Sequence, residues 1–229
     1  MNLNYVTIAD LFIITIIMFG PQVAGSIQSC KLNMENEVGV NIDTSFSIKE
    51  NIYAIVTQVF QFVIVLLYIY FRNINAINLI FNISVRNIVI SILIFCLTGL
   101  LMDLAQSVKS GVSWIYKVLQ NNIPVIDAFR NVNISLIVIS LINGFYEEFF
   151  FLVICMAVKP EYSIYALIYA LFIRIIIHLY QGKYIALTLG LNLGIVYIIL
   201  YRKLTQNLFV FSFAHAIADV IGLSFVNLL

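Results

Sequence analysis

Charge is the scarcest property of this sequence. Only 10% of the 229 residues are Asp, Glu, Lys or Arg, whereas about a quarter are charged in an ordinary soluble domain. Hydrophobic residues make up 62% of the chain, and its mean hydropathy is +1.04. This composition excludes a soluble globular fold and predicts an integral membrane protein.

The sequence also lacks the features of nucleic-acid and metal-binding proteins. It has no basic tail and no run of arginines, and its formal net charge is only +1, which excludes a nucleic-acid partner. Cys30, Cys96 and Cys155 show no CxxC or metal-ligand spacing, so we interpret all three as structural. There is no H-E-x-x-H motif, and we expect neither a metal nor a cofactor.

Long apolar runs predict the fold. A helix needs about 20 apolar residues to cross about 30 Å of hydrocarbon, and this length divides the chain into about seven spans. We therefore predict an all-α polytopic transmembrane helical bundle in the lipid bilayer of a cell membrane. The predicted spans are residues 6–27, 51–71, 85–104, 132–158, 162–180, 184–201 and 208–228.

Two polar stretches interrupt the spans. We predict an acidic loop at residues 29–50. Residues 105–131 mix apolar and charged side chains, which predicts an interfacial or re-entrant helix with Trp114 at headgroup level. We expect Asp10 and Asp103 to mark span boundaries. The chain is thus predicted to divide into an N-terminal part, residues 1–131, and a C-terminal helical core, residues 132–229.

The main candidate for a functional site is a pair of adjacent carboxylates, Glu147 and Glu148, inside the fourth predicted span. They are the only Asp, Glu, Lys, Arg or His residues from 132 to 158. Insertion of one charged residue at the centre of a membrane helix costs about 2.5 to 3.5 kcal/mol. A structural ion pair at a helix end is the alternative, but the central position favours a functional site.

The two histidines of the chain lie in later spans, and each has a charged residue four positions away. Arg174 precedes His178, and Asp219 follows His215; residues four apart share one face of a helix. A carboxylate in apolar surroundings is a stronger base than one in water, and imidazoles can donate hydrogen bonds to a developing oxyanion. These groups would suffice for acid-base hydrolysis of a peptide bond without a covalent nucleophile.

Together these motifs resemble the CPBP (Abi) family of CAAX-processing and bacteriocin-associated membrane proteases. The similarity covers roughly residues 130–229. It implies that Glu147 activates water together with His178, and that His215 and Asp219 bind and polarise the scissile carbonyl or orient the group that does so. Glu148 would be a supporting carboxylate. The implied substrate is a membrane-associated peptide, such as a pheromone or bacteriocin precursor, in a bacterial cell membrane.

The sequence departs from the family pattern at two positions. In the first motif, E-E-x-x-x-R, the arginine position holds Leu152, and in the second, F-x-x-x-H, the phenylalanine position holds Arg174. We hypothesise that Arg174 supplies, from the neighbouring helix, the cation that pairs with Glu148.

Two other functions fit the same residues. The chain could be an immunity or interaction protein that keeps the fold and binds a bacteriocin or a partner without catalysis. It could also be a proton-coupled transporter that uses the carboxylates and imidazoles as a relay, although no half-to-half repeat stands out in the sequence. A rhomboid-like serine site is disfavoured because the run Gly222-Leu223-Ser224-Phe225 lacks the second glycine.

Overall fold

The computed structural model describes residues 3–35, 47–110 and 132–222. Within these ranges the chain is helical, which confirms the predicted fold class. The described residues form seven α-helices, here labelled in chain order: α1 Ile8–Glu35, α2 Ile48–Phe71, α3 Val85–Ser110, α4 Ile134–Glu148, α5 Ser163–Ile177, α6 Lys183–Lys203 and α7 Leu208–Ile221.

Six of the described segments are long and apolar enough to cross a membrane, and α7, with 14 residues, is shorter. Helices α1, α2, α3 and α6 are longer than their predicted spans, α1 and α3 by the most. Helix α1 continues through Pro21 to Glu35, so the first part of the predicted acidic loop is helical. A single proline removes one backbone donor, and neighbouring helices can compensate for this loss. Residues 36–46 of the predicted loop lie outside the described residues, and residues 47–50 form the N-cap and first turn of α2.

The prediction that the third span ends at Asp103 was wrong. Helix α3 continues to Ser110, and Asp103 is fully buried. The Tyr184 hydroxyl donates to the carbonyl oxygen of Ala105, so the last turns of α3 are held against α6. Residues 111–131, which include Trp114 and most of the predicted interfacial helix, lie outside the described residues.

Asp10 does lie in the first turn of α1, but it is buried and forms hydrogen bonds. Its carboxylate accepts hydrogen bonds from the Tyr68 hydroxyl, from Nε of Arg72 at 3.0 Å and from Thr7. These contacts join the start of α1 to the end of α2. Asp10 is therefore part of the helix packing rather than a solvated boundary residue.

Helix α4 lies against α1, α2 and α7. Its Tyr146 hydroxyl donates to the carbonyl oxygen of Met18 in α1 at 2.7 Å. A π-helix, Phe149–Ile154, follows α4 directly, and all six of its residues are buried. π-Helical turns are rare and occur frequently at functional sites. Here the turn begins immediately after Glu148, the second carboxylate of the predicted site.

Close approach of α4 to α7 depends on Gly144. A Cβ atom at this position would clash with the backbone carbonyl oxygen of Ser212 and would lie 3.1 Å from the backbone nitrogen of Ala216. Small residues at such contacts let two membrane helices pack backbone to backbone. Since α4 carries the glutamates and α7 carries His215, Gly144 sets the distance between the two halves of the predicted site.

We expect Gly144→Ala to destabilise the protein by about 1 to 3 kcal/mol, because the added methyl group overpacks the contact between α4 and α7. Thermal unfolding of the purified protein in detergent measures this loss. Gly25→Ala is the matched control, because Gly25 is also helical and no atom of the described residues lies within 4 Å of its added Cβ. Equal stability of the two variants would contradict the assigned packing role.

Candidate active site

Glu148 is the most completely buried charge of the site. Its side chain is 0% exposed, and each carboxylate oxygen accepts one hydrogen bond: Oε2 from Nη2 of Arg174 and Oε1 from Nδ1 of His215, both at 2.7 Å. These are short, charge-assisted contacts. Glu148 on α4 therefore ties together Arg174 on α5 and His215 on α7.

Arg174 is buried against aromatic rings as well as against the carboxylate. Its side chain is 1% exposed, and its guanidinium carbon lies 4.2 Å from the centre of the Phe151 ring and 5.8 Å from that of Tyr197. The ion pair hypothesised from the sequence is thus present. Leu152, at the family's arginine position, is fully buried among apolar side chains.

Glu147 differs from Glu148 in its contacts, although both are buried. Oε2 of Glu147 lies 3.9 Å from Nε2 of His215, beyond hydrogen-bonding distance. Among the residues that the structure describes, this oxygen has no hydrogen-bond partner. Unsatisfied buried carboxylate oxygens are costly, so Glu147 is the member of the pair with capacity for a further ligand.

His178 caps the end of α5, and its Nδ1 lies 2.7 Å from the backbone carbonyl oxygen of Arg174. Because a carbonyl can only accept, Nδ1 carries the proton, and in the neutral ring Nε2 is the basic nitrogen. His178 interacts electrostatically with Glu147 and His215. The histidine of α5 is thus oriented beside the same cluster.

Asp219 lies one turn beyond His215 on α7. Its Oδ1 is 3.5 Å from Nε2 of His215, and its Oδ2 accepts a hydrogen bond from Nδ2 of Asn143 at 2.9 Å. Nε2 of Gln58 in turn donates to Oδ1 of Asn143 at 2.8 Å. Asn143 and Gln58 were not among the predicted site residues. The position of Asn143 four residues before Glu147, on one helix face, was the available signal.

The structure therefore brings together all six predicted site residues. Glu148, Arg174, His215 and Asp219 are linked by direct side-chain contacts, whereas Glu147 and His178 adjoin this cluster. In the parts of the chain that the structure describes, no three His, Cys, Asp or Glu side chains are arranged to hold a metal ion.

A cavity of about 440 Å³ lies beside the cluster, between α2, α4 and α7. Its wall is largely apolar. None of the six predicted site residues lines the cavity, but Tyr146, which precedes Glu147, and Ser212, one turn before His215, do. Gln58 is also on this wall. The lining residues are Gln58, Val59, Phe62, Val63, Phe81, Ile83, Leu141, Ile142, Phe145, Tyr146, Phe209, Ser212 and Phe213.

This is a multi-pass helical membrane protein with carboxylates, imidazoles and one guanidinium buried among its helices. Residues 129–221, less than half of the chain, match a family described as Type II CAAX prenyl endopeptidase Rce1-like, a family of membrane endopeptidases. The match confirms the predicted resemblance to the CPBP family over this part of the chain. Comparison with curated proteins and with solved structures gave no match.

Replacement of Arg174 by methionine should destabilise the protein by about 3 to 5 kcal/mol, because it leaves the buried Glu148 carboxylate without its cation. The double variant Arg174→Met/Glu148→Gln should recover part of this loss, since the uncompensated charge is then removed. Thermal unfolding and the abundance of folded protein in the membrane measure both effects.

Arg202→Met is the control for that experiment. Arg202 lies at the end of α6, and its Nη2 donates to the Ser163 hydroxyl in an exposed contact. This variant should stay within about 0.5 kcal/mol of the parent protein. If Arg174→Met were as stable and abundant as Arg202→Met, the pairing of Arg174 with Glu148 would have no energetic importance.

Proposed function

We propose that this protein is a glutamate-dependent intramembrane endopeptidase that hydrolyses a peptide bond in a small membrane-associated peptide. The observation that carries the proposal is the contrast between the two glutamates. Both oxygens of Glu148 are used by Arg174 and His215, whereas Oε2 of Glu147 has no partner among the described residues. A general base needs such an available oxygen.

In the proposed reaction, Glu147 removes a proton from a water molecule held between its carboxylate and Nε2 of His178. The resulting hydroxide attacks the carbonyl carbon of the scissile peptide bond. The proton held by Glu147 then passes to the departing amine nitrogen as the C–N bond breaks. No covalent enzyme intermediate forms. The products are a carboxylic acid and an amine, and proton transfer from the acid to the amine then gives a carboxylate and an ammonium group.

His215 is suited to stabilise the oxyanion of the tetrahedral intermediate. Its Nδ1 donates to Glu148, and carboxylates of Glu147 and Asp219 lie on the side of Nε2, at 3.9 Å and 3.5 Å. This acidic environment suits a ring that donates from both nitrogens. An Nε2–H group oriented in this way can donate to the carbonyl oxygen as negative charge develops there.

The cavity supports an apolar peptide as the substrate. It lies between α2, α4 and α7, and its wall is formed mainly by Phe, Val, Leu and Ile side chains. Such a wall binds an aliphatic or aromatic side chain of a peptide that resides in the membrane. Together with the family match, this supports a small hydrophobic precursor, such as a bacterial pheromone or bacteriocin precursor, processed at the cell membrane.

Glu147→Gln should lower the rate of peptide cleavage by about 100- to 10,000-fold, because an amide cannot take the proton from water. The test incubates purified protein with candidate precursor peptides encoded by neighbouring genes and identifies products by mass spectrometry. Glu161→Gln, which changes an exposed glutamate in the connector before α5, is the matched control and should cleave at the parental rate.

Cleavage by Glu147→Gln at the parental rate would exclude Glu147 as the base. The same variants also test the binding alternative in cells. If the protein protects its host from a bacteriocin and Glu147→Gln protects equally well, the immunity or interaction function is favoured over proteolysis.

A further inference from the structure

Asp219 needs a second contact to hold its orientation. Its side chain is 31% exposed, and it lies in the last turn of α7, which ends at Ile221. Its distance of 3.5 Å from Nε2 of His215 is longer than the 2.7 to 2.9 Å typical of a charge-assisted hydrogen bond. The histidine contact alone therefore leaves the carboxylate weakly fixed.

A chain of two amides supplies the second contact. Nε2 of Gln58 donates to Oδ1 of Asn143, and Nδ2 of Asn143 donates to Oδ2 of Asp219, at 2.8 Å and 2.9 Å. The carboxylate accepts only, so it requires the Asn143 amide to present its NH₂ group. The Asn143 carbonyl oxygen then faces Gln58, whose NH₂ group stabilises that orientation. Both amides thus have one favoured direction, set by Asp219.

From this geometry we infer that Asn143 and Gln58 are positioning residues, which hold Asp219 and through it the oxyanion-binding ring of His215. The inference rests on the proposed hydrolytic function. It also assigns a role to α2, because Gln58 lies outside residues 129–221, the segment that matches the endopeptidase family. The N-terminal part of the chain would thereby contribute to the chemistry of the C-terminal part.

A purely structural role for the same hydrogen bonds is the competing explanation, since they also join α2 to α4. The chain offers a matched comparison. Nδ2 of Asn51 donates to the Ser135 hydroxyl at 3.0 Å, and Asn51 is 2% exposed. This second hydrogen bond joins the same two helices nearer the start of each. Asn51→Leu therefore removes a hydrogen bond between α2 and α4 and leaves the contacts of Asp219 unchanged.

The experiment measures kcat and KM of Asn143→Leu, Gln58→Leu and Asn51→Leu with the precursor peptide that the parent protein cleaves. Misplacement of a group that binds the transition state costs up to about 100-fold. We expect Asn143→Leu and Gln58→Leu to lower kcat by roughly 10- to 100-fold. Asn51→Leu should keep the parental kcat. Because Gln58 also lines the cavity, its variant can change KM, whereas Asn143→Leu should not.

The decisive step repeats Asn143→Leu in an Asp219→Ala background. If Asn143 acts through Asp219, the second substitution has no further effect on kcat. A full additional loss in that background would overturn the inference, as would a parental kcat in Asn143→Leu or an equal loss in Asn51→Leu. Should Asn143→Leu fail to fold, Gln58→Leu in the same background provides the same test.

Failure of the proposed function gives a different result. In that case the parent protein and Glu147→Gln show the same cleavage rate, or no cleavage, with every peptide. The positioning role is then rejected together with the proposed function. When the parent protein cleaves a peptide and Glu147→Gln does not, the proposed function holds. The variants of Asn143, Gln58 and Asn51 then test the positioning role separately.

Discussion

The site depends on one buried carboxylate, Glu148, that bridges three helices. Charge in a membrane interior persists only where it is paired, and Glu148 uses both of its oxygens, one for Arg174 on α5 and one for His215 on α7. Removal of any partner would leave a desolvated charge, so the three groups are retained together. The positions of α5 and α7 relative to α4 follow from this requirement and from the close approach that Gly144 permits.

The adjacent glutamate is left available by the geometry of the helix. Successive residues of an α-helix point about 100° apart, so Glu147 does not form the hydrogen bonds that Glu148 forms with Arg174 and with Nδ1 of His215. It remains buried beside His215 and within electrostatic reach of His178, with an oxygen that no described residue satisfies. One carboxylate thus maintains the structure, and its neighbour retains the capacity to react. This division is the physical basis of the proposed proteolysis.

Sequence reasoning predicted those parts that depend on hydrophobicity and helical spacing. The apolar runs predicted an all-helical membrane fold, and the scarcity of charge singled out Glu147 and Glu148. The pairing of Arg174 with Glu148 was hypothesised from the departures of this sequence from the family pattern. Sequence reasoning did not predict the true ends of α1 and α3, because interhelical contacts such as that of Tyr184 with Ala105 extend helices past local polar residues. Gln58 and Asn143 were not predicted either. The role of an amide side chain in a span depends on its hydrogen-bond partner, and that partner is known only once the helices are packed.

Thermal unfolding of Glu147→Gln and Glu148→Gln, purified in parallel in the same detergent, tests this division of roles most directly. Glu148→Gln should unfold at a markedly lower temperature than the parent, because Arg174 and His215 lose their shared carboxylate. Glu147→Gln should unfold close to the parental temperature, because Oε2 of Glu147 accepts no hydrogen bond from any described residue and the substitution therefore breaks none at that oxygen. Equal destabilisation by both substitutions, or a loss confined to Glu147→Gln, would contradict the account.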